Sequence, residues 1–176
     1  LANGKWAAVV GNGFNSAAGK AVLYVLFIED GIDGTWAVGD YVKIVADAPL
    51  GQDNGLATPV PFDSDGDGYA DTVYAGDLKG NLWKFLIGPN ASVPAVNANP
   101  NTWRIAFSTS NWDAGTFTLT CNPCAPLFQA RNDDNQIQPI TWPPEVTLHP
   151  DGGQMVLFGT GKYLESSDNS SNQVQS

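Results

Sequence analysis

Residues 63–71 have the sequence DSDGDGYAD, which places four aspartates and two glycines within nine residues. A calcium ion takes six to eight oxygen ligands at about 2.3–2.6 Å, and ligands at alternate positions of a tight loop can surround a single ion. We therefore predict that this loop binds calcium. The predicted ligands are the side chains of Asp63, Asp65, Asp67 and Asp71 together with the backbone carbonyl of Tyr69.

The flanking residues indicate that the calcium loop joins two strands. The helix–loop–helix calcium motif has a glutamate at loop position twelve, where this chain has Tyr74. Segment 58–61 contains two prolines and segment 72–76 is β-branched and aromatic, so neither favours a helix. The alternative is a solvated acidic turn, because Asp and Gly are common turn residues. The regular spacing of the aspartates favours calcium, which would relieve their mutual repulsion and order the loop.

The composition favours a single β-rich domain. The chain has 176 residues, 19 of them Gly and 12 of them Pro, which suits short strands separated by turns. Its formal charge is −10 and its eight basic residues are scattered, so we predict no nucleic-acid partner. No stretch approaches the ~18 apolar residues of a membrane span, so we predict no span in this segment.

Short apolar and β-branched runs recur along the sequence with turn residues between them. No segment has the periodicity of a helix. The sequence therefore predicts an all-β fold. The predicted strands are 6–11, 22–28, 42–45, 72–76, 81–87, 104–108, 146–148 and 155–159.

These strands form an internal repeat. Segment 56–76, which contains the calcium loop, aligns with segment 140–159, and segment 6–27 aligns with the second half of both. Repeated sheet units of this kind are typical of β-propeller blades, and a propeller needs roughly four to eight of them. We therefore predict that residues 1–176 are part of a larger propeller, with the polar tract 166–176 leading into a further strand.

The cysteines and the single histidine are weaker candidates for chemistry. Cys121 and Cys124 enclose two residues, and we favour a local disulfide over free thiols. Zinc would need more ligands than His149 supplies, and no catalytic partner for this histidine is recognisable. The sequence GTGK at 159–162 lacks the glycine spacing of a phosphate loop. We predict that the chain is not an enzyme.

One further acidic residue and the tryptophans are assigned structural roles. Asp77 is predicted to cap the turn before Gly80, with a role as a metal ligand as the alternative. Tryptophans in propellers usually pack between blades, so we expect core positions rather than a ligand cleft for four of them. These are Trp83, Trp103, Trp112 and Trp142.

Several stretches together resemble the C-terminal β-propeller of the type IV pilus tip-associated adhesins, the PilY/PilC class. The resemblance covers most of the chain except about 89–130, which we predict to be loops or an insertion. The matching stretches are VVGNGFNS at 9–16, residues 63–85, residues 138–141, and FGTGKYL at 158–164 with Asp168.

The resemblance implies a bacterial outer-membrane or cell-surface protein that sits at the tip of type IV pili and helps to assemble them. It also implies that calcium in the propeller loop affects pilus extension, retraction and twitching motility. The family's calcium positions carry over to the five predicted ligands in loop 63–71. The expected partners are the pilus tip and minor pilins, together with host or abiotic surfaces.

Two other classes of propeller share single features with this chain. Quinoprotein dehydrogenases have similar strands, as in GNLW at 80–83, but they use adjacent cysteines and a tryptophan docking repeat that does not recur here. Integrin-like receptors have calcium loops with the same aspartate spacing, but in several blades. The alternatives are therefore a PQQ-dependent enzyme and a calcium-bearing propeller used for protein binding.

Overall fold

The computed structural model describes residues 1–14, 16–46, 53–89 and 96–164, together with Ser166 and Asp168. These residues form an all-β structure with one short 3₁₀ helix, Pro100–Thr102, and no helix among them is long and apolar enough to cross a membrane. Most of tract 166–176 lies outside the described residues. The strands are β1 (Ala7–Gly11), β2 (Ala21–Phe27), β3 (Tyr41–Ala46), β4 (Val60–Phe62), β5 (Thr72–Gly76), β6 (Asn81–Leu86), β7 (Arg104–Ile105), β8 (Ser110–Asp113), β9 (Thr118–Cys121), β10 (Phe128–Gln129), β11 (Glu145–Leu148) and β12 (Gln154–Leu157).

The first sheet has the strand order β1-β2-β3-β9-β8. Strand β2 has the sequence AVLYVLF and is mostly buried, as expected for a continuous apolar run at the centre of a sheet. It pairs antiparallel with β1, where Val25 lies opposite Val9, and with β3, where Leu23 lies opposite Ile44. Strand β9 runs parallel to β3 and places Leu119 opposite Ile44.

The second sheet has the strand order β10-β6-β5-β4, and β7 also pairs with β6. Strand β5 is buried along its whole length. Phe62 at the end of β4 lies opposite Thr72 at the start of β5, so residues 63–71 form the connection between these two strands. A second tight connection, residues 77–80, joins β5 to β6.

The segment from β7 to β10 contributes strands to both sheets. Strand β7 pairs with β6, where Ile105 lies opposite Phe85. The chain then forms the β8–β9 hairpin on the first sheet and returns to β6 as β10, where Phe128 lies opposite Leu82. The two sheets are therefore joined by strand pairing as well as by side-chain packing.

A continuous apolar cluster lies at the junction of the two sheets. It contains buried side chains from β2, β3, β5, β6, β7 and β9, among them Trp83 and Phe85, together with Trp103, which immediately precedes β7. Burial of each large apolar side chain contributes about 1.5–3 kcal/mol. The β11–β12 hairpin forms a third, two-stranded sheet, and its Val156 packs on a smaller cluster that includes Ile140.

Most of the predicted strands are confirmed to within one or two residues. The prediction for 104–108 is wrong beyond Ile105, because Phe107 has a positive φ of 64° and lies 70% exposed where the chain turns. Strands β4, β8, β9 and β10 were not predicted. Strands β8 and β9 are short and polar, with alternating exposure, so they lack the apolar runs that identify the central strands.

Candidate metal centre

The shape of loop 63–71 is set by the carboxylate of Asp63. This group accepts hydrogen bonds from the backbone N–H of Gly66 at 2.7 Å and of Gly68 at 2.8 Å. Both glycines have a positive φ, 81° and 89°, which residues with a Cβ rarely adopt. The hydrogen bond from Gly68 is the main reason that the pKa of Asp63 lies below its ordinary value. The loop therefore holds this carboxylate in its ionised form.

Asp71 forms the buried end of the loop and is 2% exposed. Its Oδ2 accepts hydrogen bonds from the backbone N–H of Ser64 at 3.2 Å and from the Ser64 hydroxyl at 2.6 Å. Its Oδ1 accepts a hydrogen bond from the hydroxyl of Thr72 at 2.7 Å. The backbone N–H of Asp71 donates to the carbonyl of Phe62 at 3.2 Å. These bonds fix the carboxylate at the base of the loop.

Three of the predicted ligands lie together: Asp63, Asp65 and Asp71 each offer a carboxylate oxygen within 4.8 Å of the others. Two ligands on opposite sides of a calcium ion are about 4.6–5.2 Å apart, so this spacing fits one ion between them. Desolvation, followed by the negative charge of Asp67, raises the pKa of Asp65 above its ordinary value. A cation among these carboxylates would remove that electrostatic penalty.

Asp67, the fourth predicted aspartate ligand, is placed differently. Asp67 lies outside this group, and its Oδ1 accepts a hydrogen bond from the backbone N–H of Tyr69 at 2.8 Å. The N–H of Asp67 itself donates to Oδ1 of Asp65 at 3.4 Å. Tyr69 is 46% exposed. Ligation by Asp67 and by the carbonyl of Tyr69 stays a prediction.

A polar group on the neighbouring strands interacts electrostatically with Asp71. Lys84 of β6 donates to Oε1 of Gln154 at 3.2 Å, and the hydroxyl of Tyr74 donates to the same atom. Burial, with a further contribution from the charge of Asp71, raises the pKa of Tyr74 to about 12. Burial lowers the pKa of Lys84, whereas Asp71 opposes that shift. Sequence analysis missed this group because Gln154 lies 70 residues from Lys84.

Asp77, which follows β5, has no solvent exposure and is surrounded by N–H donors. Its Oδ1 accepts from the backbone N–H groups of Lys79 and Asn81, each at 2.9 Å. Its Oδ2 accepts from the side chains of Asn54 and Asn81, each at 2.9 Å, and from the indole of Trp83 at 2.8 Å. The predicted cap of this turn is confirmed. The number of donors argues against the alternative role of Asp77 as a metal ligand.

The predicted local disulfide is confirmed, and His149 lies at the surface. A disulfide joins Cys121 to Cys124, whose Cα atoms are 5.0 Å apart. His149 lies in an exposed turn, where its Nδ1 accepts from the backbone N–H of Asp151 at 3.1 Å. Neither feature forms part of the acidic group in loop 63–71.

The tryptophans divide between the core and the surface. Trp83 and Trp103 are buried, and Trp112 is partly buried against the main cluster, as expected. The prediction that Trp142 packs in the core is wrong, because this residue is 78% exposed. It lies in the exposed turn between the buried Ile140 and strand β11.

The PilY1 β-propeller domain family matches residues 1–176. The type IV pilus biogenesis factor PilY1 of Pseudomonas aeruginosa strain UCBPP-PA14 is 40% identical over 171 residues, which cover 96% of this chain and 14% of that protein. A PilY1 homolog of Xylella fastidiosa is 36% identical over 184 residues, which cover 99% of this chain and 11% of the homolog. The chain thus spans 11–14% of the length of these relatives.

The crystal structure of the Pseudomonas aeruginosa PilY1 C-terminal domain is also similar. Its TM-score is 0.71 and its identity is 36%, with the match covering 96% of this chain and 32% of that one. This likeness and the family match confirm the all-β, propeller-like fold that the internal repeat predicted. The chain belongs to the PilY1 β-propeller domain family.

Proposed function

We propose that loop 63–71 binds one calcium ion through Asp63, Asp65, Asp67, Asp71 and the carbonyl of Tyr69. The observation that supports this most directly is the approach of three carboxylates to within 4.8 Å, with Asp71 held at the buried end. A group of carboxylate oxygens of this kind suits a hard cation that prefers oxygen ligands. The exposed loop face leaves room for water to complete the coordination.

Isothermal titration calorimetry with calcium chloride tests the site on three versions of the chain. The native chain is expected to bind one ion, and Asp71→Ala is expected to abolish binding by removing the buried ligand. Asp134→Asn is the matched control, because Asp134 is exposed and lies outside the acidic group. Absence of binding in the native chain, or unchanged binding in Asp71→Ala, would overturn the proposed site.

We further propose that this domain acts within a longer protein in type IV pilus biogenesis at the bacterial surface. The matched relatives are named as type IV pilus biogenesis factors rather than as enzymes, which supports a non-catalytic role. In this proposal calcium occupancy regulates pilus extension, retraction and surface attachment. The partners are the pilus tip and its minor pilins, with host or abiotic surfaces as further targets.

The cellular part of this proposal is tested by introducing Asp71→Ala into the intact protein. The expected result is a changed number of surface pili and changed twitching motility, with normal amounts of the protein. Asp134→Asn is expected to leave both properties unaltered. If Asp71→Ala abolishes calcium binding while pilus number and motility stay normal, the regulatory role is wrong, although the ion site would stand.

A further inference from the structure

Strand β6 carries a lysine whose side chain is held in place beside the strand that follows the calcium loop. Lys84 lies opposite Tyr74 of β5 in the antiparallel pairing of the two strands. Its Nζ lies 5.5 Å from the centre of the Tyr74 ring and donates a hydrogen bond to Oε1 of Gln154 at 3.2 Å. The Tyr74 hydroxyl donates to the same oxygen atom. The ring and the amide therefore hold the Lys84 ammonium group at a defined position.

The groups that hold this ammonium do not neutralise its charge. Gln154 is a neutral amide, and Tyr74 is a neutral phenol because burial raises its pKa to about 12. Lys84 is itself partly buried, and this burial lowers its pKa because it disfavours the charged form. Charges in partly buried positions are screened by solvent and salt much less than charges on the surface. The positive charge of Lys84 therefore acts on neighbouring charged groups.

Asp71 is the carboxylate with which Lys84 interacts. The carbonyl of Asp71 accepts a hydrogen bond from the N–H of Ile87 at 2.8 Å, so Asp71 lies beside the end of β6, where Ile87 is three residues beyond Lys84. The negative charge of Asp71 favours the protonated form of Lys84 and so opposes the effect of burial on its pKa. Asp71 is also the buried member of the acidic group in loop 63–71. The Lys84 cation therefore interacts with one of the proposed calcium ligands.

We propose that Lys84 sets the calcium affinity of loop 63–71 by acting as a resident positive charge beside Asp71. Without calcium, the ammonium offsets part of the repulsion among the loop carboxylates. With calcium bound, the ammonium repels the ion, so the affinity is lower than the acidic group alone would give. A site weakened in this way responds to calcium at the high concentrations found outside cells. This inference rests on the calcium site proposed above.

Calcium titration by calorimetry on the full chain tests the role of the charge. Lys84→Met removes the charge but keeps an unbranched apolar side chain, and Lys84→Gln removes it but keeps a polar one. We expect both variants to bind calcium about three- to ten-fold more tightly than the native chain, because the repulsion is gone. Lys84→Arg keeps the charge and should bind within about two-fold of the native chain.

A lysine in the first sheet provides the matched control. Lys43 of β3 is also partly buried and also lies opposite a tyrosine, Tyr24 of β2. Lys43→Met therefore makes the same chemical change in the same kind of strand position, away from the acidic group. It should leave the calcium affinity unchanged. Circular dichroism of each variant shows whether its strands are retained.

The direction of the change separates an electrostatic role of Lys84 from a purely structural one. Loss of a structural contact would leave calcium binding unchanged or weaken it, whereas loss of a repelling charge strengthens it. If the native chain binds calcium and neither neutral variant binds it more tightly, the inference is wrong and the calcium site stands. Equally tight binding by Lys84→Arg and Lys84→Met would also overturn the inference. If neither the native chain nor Lys84→Met binds calcium, the proposed site and the inference both fail.

Discussion

An acidic loop precedes strand β5 and a turn containing Asp77 follows it, and the carboxylates of the loop and the turn lie in different environments. After the strand, Asp77 is fully buried and accepts hydrogen bonds from the backbone or side chains of four residues. Before the strand, three carboxylates of loop 63–71 lie within 4.8 Å of one another. There the hydrogen bonds favour the ionised form of Asp63, while the pKa of Asp65 is raised.

The comparison shows that the close approach of other carboxylates, rather than the supply of donors alone, distinguishes the acidic group of loop 63–71 from the structural carboxylate of Asp77. The chain itself provides the donors around Asp77, so that charge is balanced whatever the solution contains. In loop 63–71 three carboxylates lie within 4.8 Å of one another, and the proposed calcium ion would balance the charge that they leave uncompensated. The stabilising contribution of Asp77 should therefore be independent of calcium, whereas the stability of loop 63–71 should depend on calcium.

Asp77→Ala is expected to have the largest effect on stability. The substitution leaves the buried N–H groups of Asn81 and Trp83 without their acceptor, and each unsatisfied group costs about 1–3 kcal/mol. We therefore expect the free energy of unfolding to fall by about 3 kcal/mol or more. Urea unfolding should show the same loss in calcium and in chelator. A loss confined to calcium would contradict the structural role of Asp77.

Asp71→Ala should remove the calcium-dependent part of the stability. With free calcium at 100 times the Kd, binding to the native chain adds about 2.7 kcal/mol to the free energy of unfolding. Thermal unfolding in calcium and in chelator measures this increment, which the variant should lack while circular dichroism shows that its strands are retained. Equal melting temperatures for the native chain under both conditions would count against a calcium site.

Two substitutions, Asp65→Asn and Asp67→Asn, compare the contributions of two loop aspartates to calcium affinity. Asp65 belongs to the acidic group, whereas Asp67 accepts its hydrogen bond from Tyr69. We expect Asp65→Asn to weaken calcium binding by about ten-fold or more, and Asp67→Asn by only about two- to three-fold. Calorimetry gives both affinities. The smaller effect is expected because Asp67 must give up its hydrogen bond with Tyr69 to reach the ion, and the reverse order would show that Asp67 contributes more to binding than Asp65.

The smallest expected effect is the change in melting temperature caused by Asp65→Asn in calcium-free buffer. Its pKa is raised in the folded chain, so its ionised form destabilises the fold at neutral pH. Asp65→Asn should therefore raise the melting temperature in calcium-free buffer at pH 7, and the difference should shrink as acid protonates Asp65. Asp63 makes the opposite contribution to stability. Because its pKa is lowered in the folded chain, its ionised form stabilises the fold above pH 3.8, and this stabilisation is lost as the pH falls through the lowered pKa. A lower melting temperature for Asp65→Asn would contradict this balance.

The sequence predicted the acidic loop because its chemistry is local. The aspartates and glycines of residues 63–71 follow one another closely, so their spacing alone indicates an ion site. Spacing does not reveal that Asp67 is directed to the N–H of Tyr69, since that depends on the backbone conformation of the loop. For Asp77, the turn was predictable from the neighbouring residues, but Asn54 comes from 23 residues earlier.

The features that the sequence did not predict depend on contacts between distant segments. Strand β9 pairs with β3 through residues such as Leu119 and Ile44, and short polar strands gain their pairing from the surrounding sheet rather than from their own propensity. A cleft beside the loop is lined both by Trp6, which precedes strand β1 of the first sheet, and by Tyr69, which lies between strands β4 and β5 of the second. Such approaches arise from tertiary packing, which local patterns of residue types do not reveal.

The path of the chain between β7 and β10 also bears on how the domain responds to mechanical force. Strand β6 holds both β7 and β10, while β3 holds β9, so the same segment is anchored in two sheets. Separating the sheets requires the rupture of several rows of backbone hydrogen bonds at once. A load applied across the domain is thereby shared among these rows.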